Sequence, residues 1–201
     1  MLDVPFISLP CQLPAIEART KEVNFTMASE HRTGALLQVL ASSKCGGKLL
    51  ELGTGTGIST AWLLSGMDTS STLVSVDTDA RFQNMARESL GHDARLTLVT
   101  EDAATWILRQ PKFSFDLIFA DAMPGKYEVL DETLALVKSG GFYVIDDMLP
   151  QPNWPEGHGE KADALLYTLS SRPRFSMVPM IWASGVAVLV RKSVEGESSK
   201  D

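Results

Sequence analysis

Cysteine is scarce in this sequence: Cys11 and Cys45 are the only two in 201 residues, and they show no metal-ligand spacing. A disulfide framework or thiolate zinc site is therefore not expected. The pair reads as free thiols in a reducing cytosol, with one disulfide left open. No apolar run approaches the roughly 20 residues a membrane helix needs. Basic character is also thin. The 18 Lys and Arg against 25 Asp and Glu leave a formal charge of −7, and the basic residues are scattered singly. A phosphate backbone is usually held by a basic stripe, so nucleic acid is not the expected substrate. Residues 1–14 carry Asp3 and no basic segment, which argues against a secretory signal. These absences point to a cytoplasmic protein with a small-molecule partner, and a homodimer is left open.

What is present is ordinary for a globular fold: 44% hydrophobic and 21% charged residues. The length suits one domain over residues 1–201, with 1–14 as an arm and 193–201 as a mobile tail. A helix is expected over Ala15–Met27. A second should run from Ser29, as its cap, to about Ser43. Beyond Gly46-Gly47 the chain alternates short apolar runs with helical stretches. Strands are expected at Lys48–Leu52, Thr72–Val76, Leu96–Val99, Asp116–Ala120 and Phe142–Ile145. Helices lie between them, the fourth running from Tyr127 to about Lys138 and closed by Ser139-Gly140-Gly141. A helix over Glu160–Ser170 precedes two last strands, Phe175–Val178 and Gly185–Val190, which should pair as a hairpin. Five strand–helix repeats predict an α/β fold with a mainly parallel, doubly wound sheet, made mixed by the hairpin.

The strongest local signal follows the first strand and opens a helix: Glu51-Leu52-Gly53-Thr54-Gly55-Thr56-Gly57-Ile58-Ser59. Ligands of such sheets bind at the carboxyl ends of strands near the switch in strand order. Glycines there let the backbone come close to a cofactor. The spacing is G-x-G-x-G, whereas a dinucleotide fingerprint has G-x-G-x-x-G; here its third position is Ile58. Asp77, at the end of the second strand, can accept both ribose hydroxyls of a nucleoside. Asp102, just after the third, can meet an adenine edge.

The successive segments ELGTGTG, VSVDTDA, TEDAATW and FDLIFADA resemble the motifs of class I S-adenosylmethionine-dependent methyltransferases, over about Met27 to Arg191. The resemblance implies a Rossmann-like fold with sheet order 3-2-1-4-5-7-6 and two leading helices. It implies S-adenosylmethionine as cofactor, held by Gly53, Thr54, Gly55, Gly57, Ser59, Asp77, Thr78, Asp102, Ala103 and Asp121, with Glu51 supporting the glycine loop from beneath. Two other classes stay open on the same fold: aminopropyl transfer, and a non-catalytic cofactor-binding module.

Asp121 ends the fourth strand, and Asp146 and Asp147 end the fifth. Neighbouring strands lie about 4.8 Å apart, so the three carboxylates should converge on one edge of the cleft. Oxygen-only ligands suit Mg²⁺ or another divalent cation. The arrangement resembles the catechol and caffeoyl-CoA type of O-methyltransferase, which holds a divalent metal there. By that resemblance Asp121, Asp146 and Asp147 would be metal ligands, with Asp147 in place of Asn. The alternative has one aspartate contacting the cofactor, one capping a turn, and no ion. Both Asp146 and Asp147 can face the cleft only if the strand has already ended. Where that family commonly has a basic lysine, this chain has Pro124. Lys126, or His158 with an unperturbed pKa of about 6.5, is then the candidate base beside Asp121. The Pro-rich stretch Asp147–His158 resembles a loop of certain bacterial methyltransferases. It either walls the acceptor pocket or lies on the surface with Trp154 packed on the core. His31 and Arg32, at the start of the second helix, could face the cofactor as a lid.

Overall fold

The computed structural model describes residues 6–193, so the expected tail beyond 193 and the first five residues of the arm lie outside it. The elements run α1 (Leu13–Glu22), α2 (His31–Ser42), β1 (Lys48–Leu52), α3 (Ile58–Gly66), β2 (Thr72–Asp77), α4 (Ala80–Leu90), β3 (Leu96–Thr100), α5 (Ala103–Ile107), β4 (Phe115–Ala120), α6 (Met123–Lys126), α7 (Leu130–Leu136), β5 (Val137–Ile145), α8 (His158–Ser170), β6 (Phe175–Met180) and β7 (Val186–Arg191). The seven strands form one sheet in the order β3-β2-β1-β4-β5-β7-β6. β1 to β5 pair in parallel, and β7 runs antiparallel to both β5 and β6. The order and the mixed character agree with expectation.

The central strands are apolar on both sides because both faces are covered. Alternate residues serve opposite cores. Leu50, Leu52, Ile118 and Ala120 join Ile107, Leu134 and Leu165 from α5, α7 and α8 on one face. Leu49, Leu117 and Phe119 join Leu13, Leu37, Trp62 and Leu90 from α1, α2, α3 and α4 on the other. Gly34 of α2 lets that helix press on α3, since a Cβ there would stand 2.3 Å from the Trp62 ring.

Three boundaries differ from expectation. α1 starts inside the supposed arm, because Pro14 sits in its first turn, where a missing N–H costs nothing. α2 starts at His31 with no side-chain cap, since the Ser29 hydroxyl donates instead to Asp121 Oδ2, 3.3 Å away. The fourth crossover helix ends at Leu136, and β5 already begins at Val137. The strand continues through Ser139-Gly140-Gly141, with an irregularity opposite β4 between Phe115 and Leu117. Gly140, at φ +71°, absorbs it.

Candidate active site

At the carboxyl ends of β1, β2 and β4 lies a cavity of about 320 Å³. Its floor is the glycine loop. Gly53 takes φ +98°, and a Cβ there would stand 2.6 Å from the Asp121 carbonyl oxygen. The Asp121 N–H donates to Leu52 O (2.8 Å), so the ends of β1 and β4 are tied at this point. Asp77 pins the loop from the side: Oδ2 accepts from the Gly55 N–H and Oδ1 from the Asp79 N–H, each at 2.8 Å. A carboxylate has about four lone-pair sites, so Asp77, which lines the cavity, keeps acceptors for a ligand. Thr54, Ser59, Thr78 and Ala103 line it as well, with Phe25 and Phe82 as an edge-to-face aromatic pair, centroids 4.7 Å apart.

Beneath the loop, Glu51 is fully buried. Its Oε2 accepts from Thr60 Oγ1 (2.6 Å) and Ser75 Oγ (2.5 Å), while Oε1 has no partner. Burial pushes its carboxyl up to about 7, against the opposing pull of the Ser59, Ser75 and Thr60 hydroxyls.

A second cavity, of about 550 Å³, opens beside the first. Met27, Ala28, Ser29, Asp121 and Ala122 line both. Its other walls include Lys126, Tyr127, Asp146, Asp147, Trp154 and His158. Because β5 ends at Ile145 and Asp147 turns to φ +59°, both adjacent aspartates reach the cavity. The Pro-rich loop walls it: Trp154 lies against His158 (centroids 4.6 Å), and His158 Nε2 is 3.4 Å from the Tyr127 hydroxyl. Partial burial, with Lys161 and Lys126, holds the His158 pKa below its usual value.

Lys126 is buried at the junction. Its Nζ donates to Asp121 Oδ1 (3.2 Å) and to the Asp146 carbonyl (2.9 Å). Burial alone would lower its pKa, but Asp121, Asp147 and Asp146 outweigh that and leave it raised. The Asp146 carboxylate accepts from the Ser184 hydroxyl and from the Asp147 N–H. Burial, followed by the negative charge of Asp121, pushes the Asp146 and Asp147 carboxyls up.

Residues 50–148 match the family model described as a methyltransferase domain. A curated relative from Mycolicibacterium smegmatis, described as "Putative O-methyltransferase", is 35% identical over 117 residues. That match spans 56% of this chain and 56% of the relative, and others span 52%, so the chain covers about half the length of the curated relatives it matches. Among solved structures, the O-methyltransferase TomG of Streptomyces achromogenes, in complex with S-adenosylmethionine, superposes with a TM-score of 0.80. It is 21% identical, with 95% of this chain and 96% of that one covered. A Bacillus cereus O-methyltransferase in complex with S-adenosylhomocysteine gives 0.79 at 20% identity, with 94% of each chain covered. The fold is that of the class I methyltransferases.

Within a class I methyltransferase fold the expected cofactor residues divide into two groups. Gly53, Thr54, Gly55, Ser59, Asp77, Thr78, Ala103 and Asp121 line the first cavity. Glu51, Gly57 and Asp102 are not among its lining residues. Glu51 lies beneath the loop, bonded to Thr60 and Ser75. Gly57, at φ +97°, turns toward α4, where a Cβ would stand 3.2 Å from Ala86. Asp102 caps α5 by accepting from the Thr105 N–H and hydroxyl, and is exposed. The cavity fits an adenosyl group: glycine backbone, a carboxylate with spare acceptors, and aromatic faces enclose a volume within the usual ligand range. His31, expected to face the cofactor as a lid, pairs instead with Glu17 of α1 beside Trp62 and is not among the residues lining either cavity. Arg32 lines neither cavity either.

The carboxylates at the ends of β4 and β5 do not fit a divalent cation. An ammonium already stands between Asp121 and Asp146, where it takes up Asp121 Oδ1 and the Asp146 carbonyl and fills the place an ion would need. The Asp146 carboxylate is turned to Ser184. Among the described residues no three His, Cys, Asp or Glu side chains gather to hold a metal. Sequence reasoning missed Phe25, Phe82, Ser29 and Tyr127 in the cavity walls. Phe82, in the first turn of the helix after VDTDA, carried a usable signal: an aromatic on the helix that follows the second strand.

Proposed function

We propose that the protein binds S-adenosylmethionine in the first cavity and directs its methyl group to a hydroxyl oxygen of a small molecule in the second. The observation that carries this reading is the shared wall: Ser29, Asp121 and Ala122 line both cavities, so a donor in one meets an acceptor in the other. Gly53, Thr54, Gly55, Ser59, Asp77, Thr78 and Ala103 hold the cofactor, and Asp121 stands at the junction. S-adenosylmethionine, when bound, supplies an electrophilic methyl carbon on a sulfonium sulfur.

The chain's own residues prepare the nucleophile. A phenol with a pKa of about 10 is mostly protonated near neutrality. His158, held below its usual pKa, is neutral there and accepts the acceptor's proton at Nε2. Lys126 is charged and carries no lone pair for a proton, so of the two candidates His158 is the base. Trp154 and Tyr127 give the cavity aromatic walls for a flat acceptor. Glu30, Asp121, Asp146 and Asp147 against one lysine make it acidic, which favours neutral or amine-bearing acceptors over carboxylates and phosphates. The scarcity of basic side chains supports a small acceptor over nucleic acid.

The test is release of S-adenosylhomocysteine across a panel of phenols, catechols and their amine- and carboxylate-bearing analogues. Methylated oxygen in the product supports the reading. Release of 5′-methylthioadenosine from decarboxylated S-adenosylmethionine and putrescine, with no methylation of any acceptor, would replace it with aminopropyl transfer. Binding without turnover on any acceptor would favour a cofactor-binding module.

A further inference from the structure

The proposed chemistry leaves the buried Lys126 ammonium without a role. The short turn that carries it is built to deliver it. Gly125 takes φ +92°, and a Cβ there would stand 2.5 Å from Leu52 Cδ1. The Gly125 N–H donates to Glu128 O (2.8 Å), and the Tyr143 hydroxyl of β5 donates to Gly125 O. The turn is therefore clamped to β1 and β5, and the lysine side chain, 6% exposed, reaches back between the ends of β4 and β5. There it meets the first acid of the resembled metal site and the main chain of the second. An ammonium has three donors. Two go to Asp121 and Asp146, and Lys126 lines the second cavity, so the third is free for a ligand oxygen.

We propose that the Lys126 ammonium takes the place of the divalent cation of the resembled O-methyltransferases, so that this chain positions its acceptor oxygen with a lysine and binds no metal. The inference rests on the second cavity being the acceptor site. A fixed N–H aimed at an oxygen that gains negative charge does part of what a metal does there, orienting the hydroxyl and favouring its oxyanion. It does so with one positive charge, already balanced by Asp121. Lys126 is then a catalytic residue by contact with the acceptor, while Tyr143 and Gly125 position it.

The experiment titrates Mn²⁺ into the full chain and reads free ion by electron paramagnetic resonance. In parallel, calorimetry reads S-adenosylmethionine binding, and turnover is followed with and without EDTA. Mn²⁺ is expected to stay free and EDTA to leave turnover unchanged. Lys126→Gln should lower kcat/KM about a hundredfold, the usual loss for one oxyanion donor, at unchanged S-adenosylmethionine affinity. Lys126→Arg should recover part of that. Stoichiometric Mn²⁺ uptake by the wild type overturns the proposal. So does turnover that EDTA abolishes and Mg²⁺ restores, or a folded Lys126→Gln variant of full rate. The Mn²⁺ reading needs neither variant nor acceptor, so it decides the point even where Lys126→Gln does not fold. Loss of S-adenosylmethionine binding in the calorimetry would instead overturn the methyl-transfer reading, separately from the fate of Mn²⁺.

Discussion

Gly53 leaves no room for a side chain against Asp121: the Asp121 carbonyl oxygen lies 2.6 Å from where a Gly53 Cβ would stand. This contact sets the glycine loop against the residue at the junction of the two cavities. Gly53→Ala would have to adopt φ +98° and push that carbonyl away. Strain of about 1–3 kcal/mol is expected in stability. The loss in S-adenosylmethionine affinity should be larger, because the displaced strand end carries the junction residue. Urea unfolding and calorimetry on the same variant check both, and a variant with wild-type affinity would contradict the geometry.

Asp121 and Lys126 are a buried pair, with Asp147 and Asp146 also facing the ammonium. Asp121→Asn should destabilise the fold by less than a wholly uncompensated buried charge would, about 3–5 kcal/mol, because those two carboxylates remain. Lys126→Met together with Asp121→Asn should recover part of that loss. A double-mutant cycle by denaturant unfolding measures the coupling. Purely additive effects would mean that the pair does not interact.

Glu51 should make stability depend on pH in an unusual direction. Burial raises its folded pKa from 4.5 to about 7. The folded state therefore holds a proton that the unfolded chain has released. Its contribution is favourable below about 4.5 and is lost as pH rises through about 7. A shift of that size corresponds to on the order of 3 kcal/mol. Glu51→Gln should flatten this limb, so the difference in unfolding free energy between wild type and variant should change steadily over that range. A difference independent of pH would show that Glu51 is not buried as described.

His158 sets the acid side of the rate profile. Because its pKa lies below the usual value, activity should rise as pH climbs through that pKa and be flat at neutrality. Below it the imidazole is protonated and cannot accept. His158→Ala should lower kcat by about 10²–10⁴-fold and remove the acid limb. A variant that keeps the limb would shift the base role elsewhere.

The sheet and the glycine loop were legible because both are written in local pattern. Short apolar runs mark strands buried on both faces, and G-x-G-x-G marks a loop that must approach a ligand. The strand order itself came from the resemblance; alternation alone gives only the parallel part. Ser29 could not be placed. A serine before a helical stretch looks like a cap, and only the folded chain brings Asp121, 92 residues away, within reach of its hydroxyl. Lys126 was visible as a charge near the site, yet its role depends on the backbone turn at Gly125, which carries a side chain from α6 between two strands. Asp146 and Asp147 read as ligands by their acidity and position. Their partners, Ser184 and Lys126, come from the β6–β7 turn and from α6, and no spacing rule links those segments to β5. Gly57 and Asp102 sit at the expected places in the motifs, but local packing turns one toward α4 and the other into a helix cap.

The most direct test of the account is a calorimetric titration of the full chain with S-adenosylmethionine, with NAD as control and Asp77→Ala alongside. One S-adenosylmethionine should bind per chain, with affinity weakened by about 1.5–3 kcal/mol in the variant, the range for hydrogen bonds to a charged group, and NAD should not bind. Tight NAD binding without S-adenosylmethionine binding would contradict it.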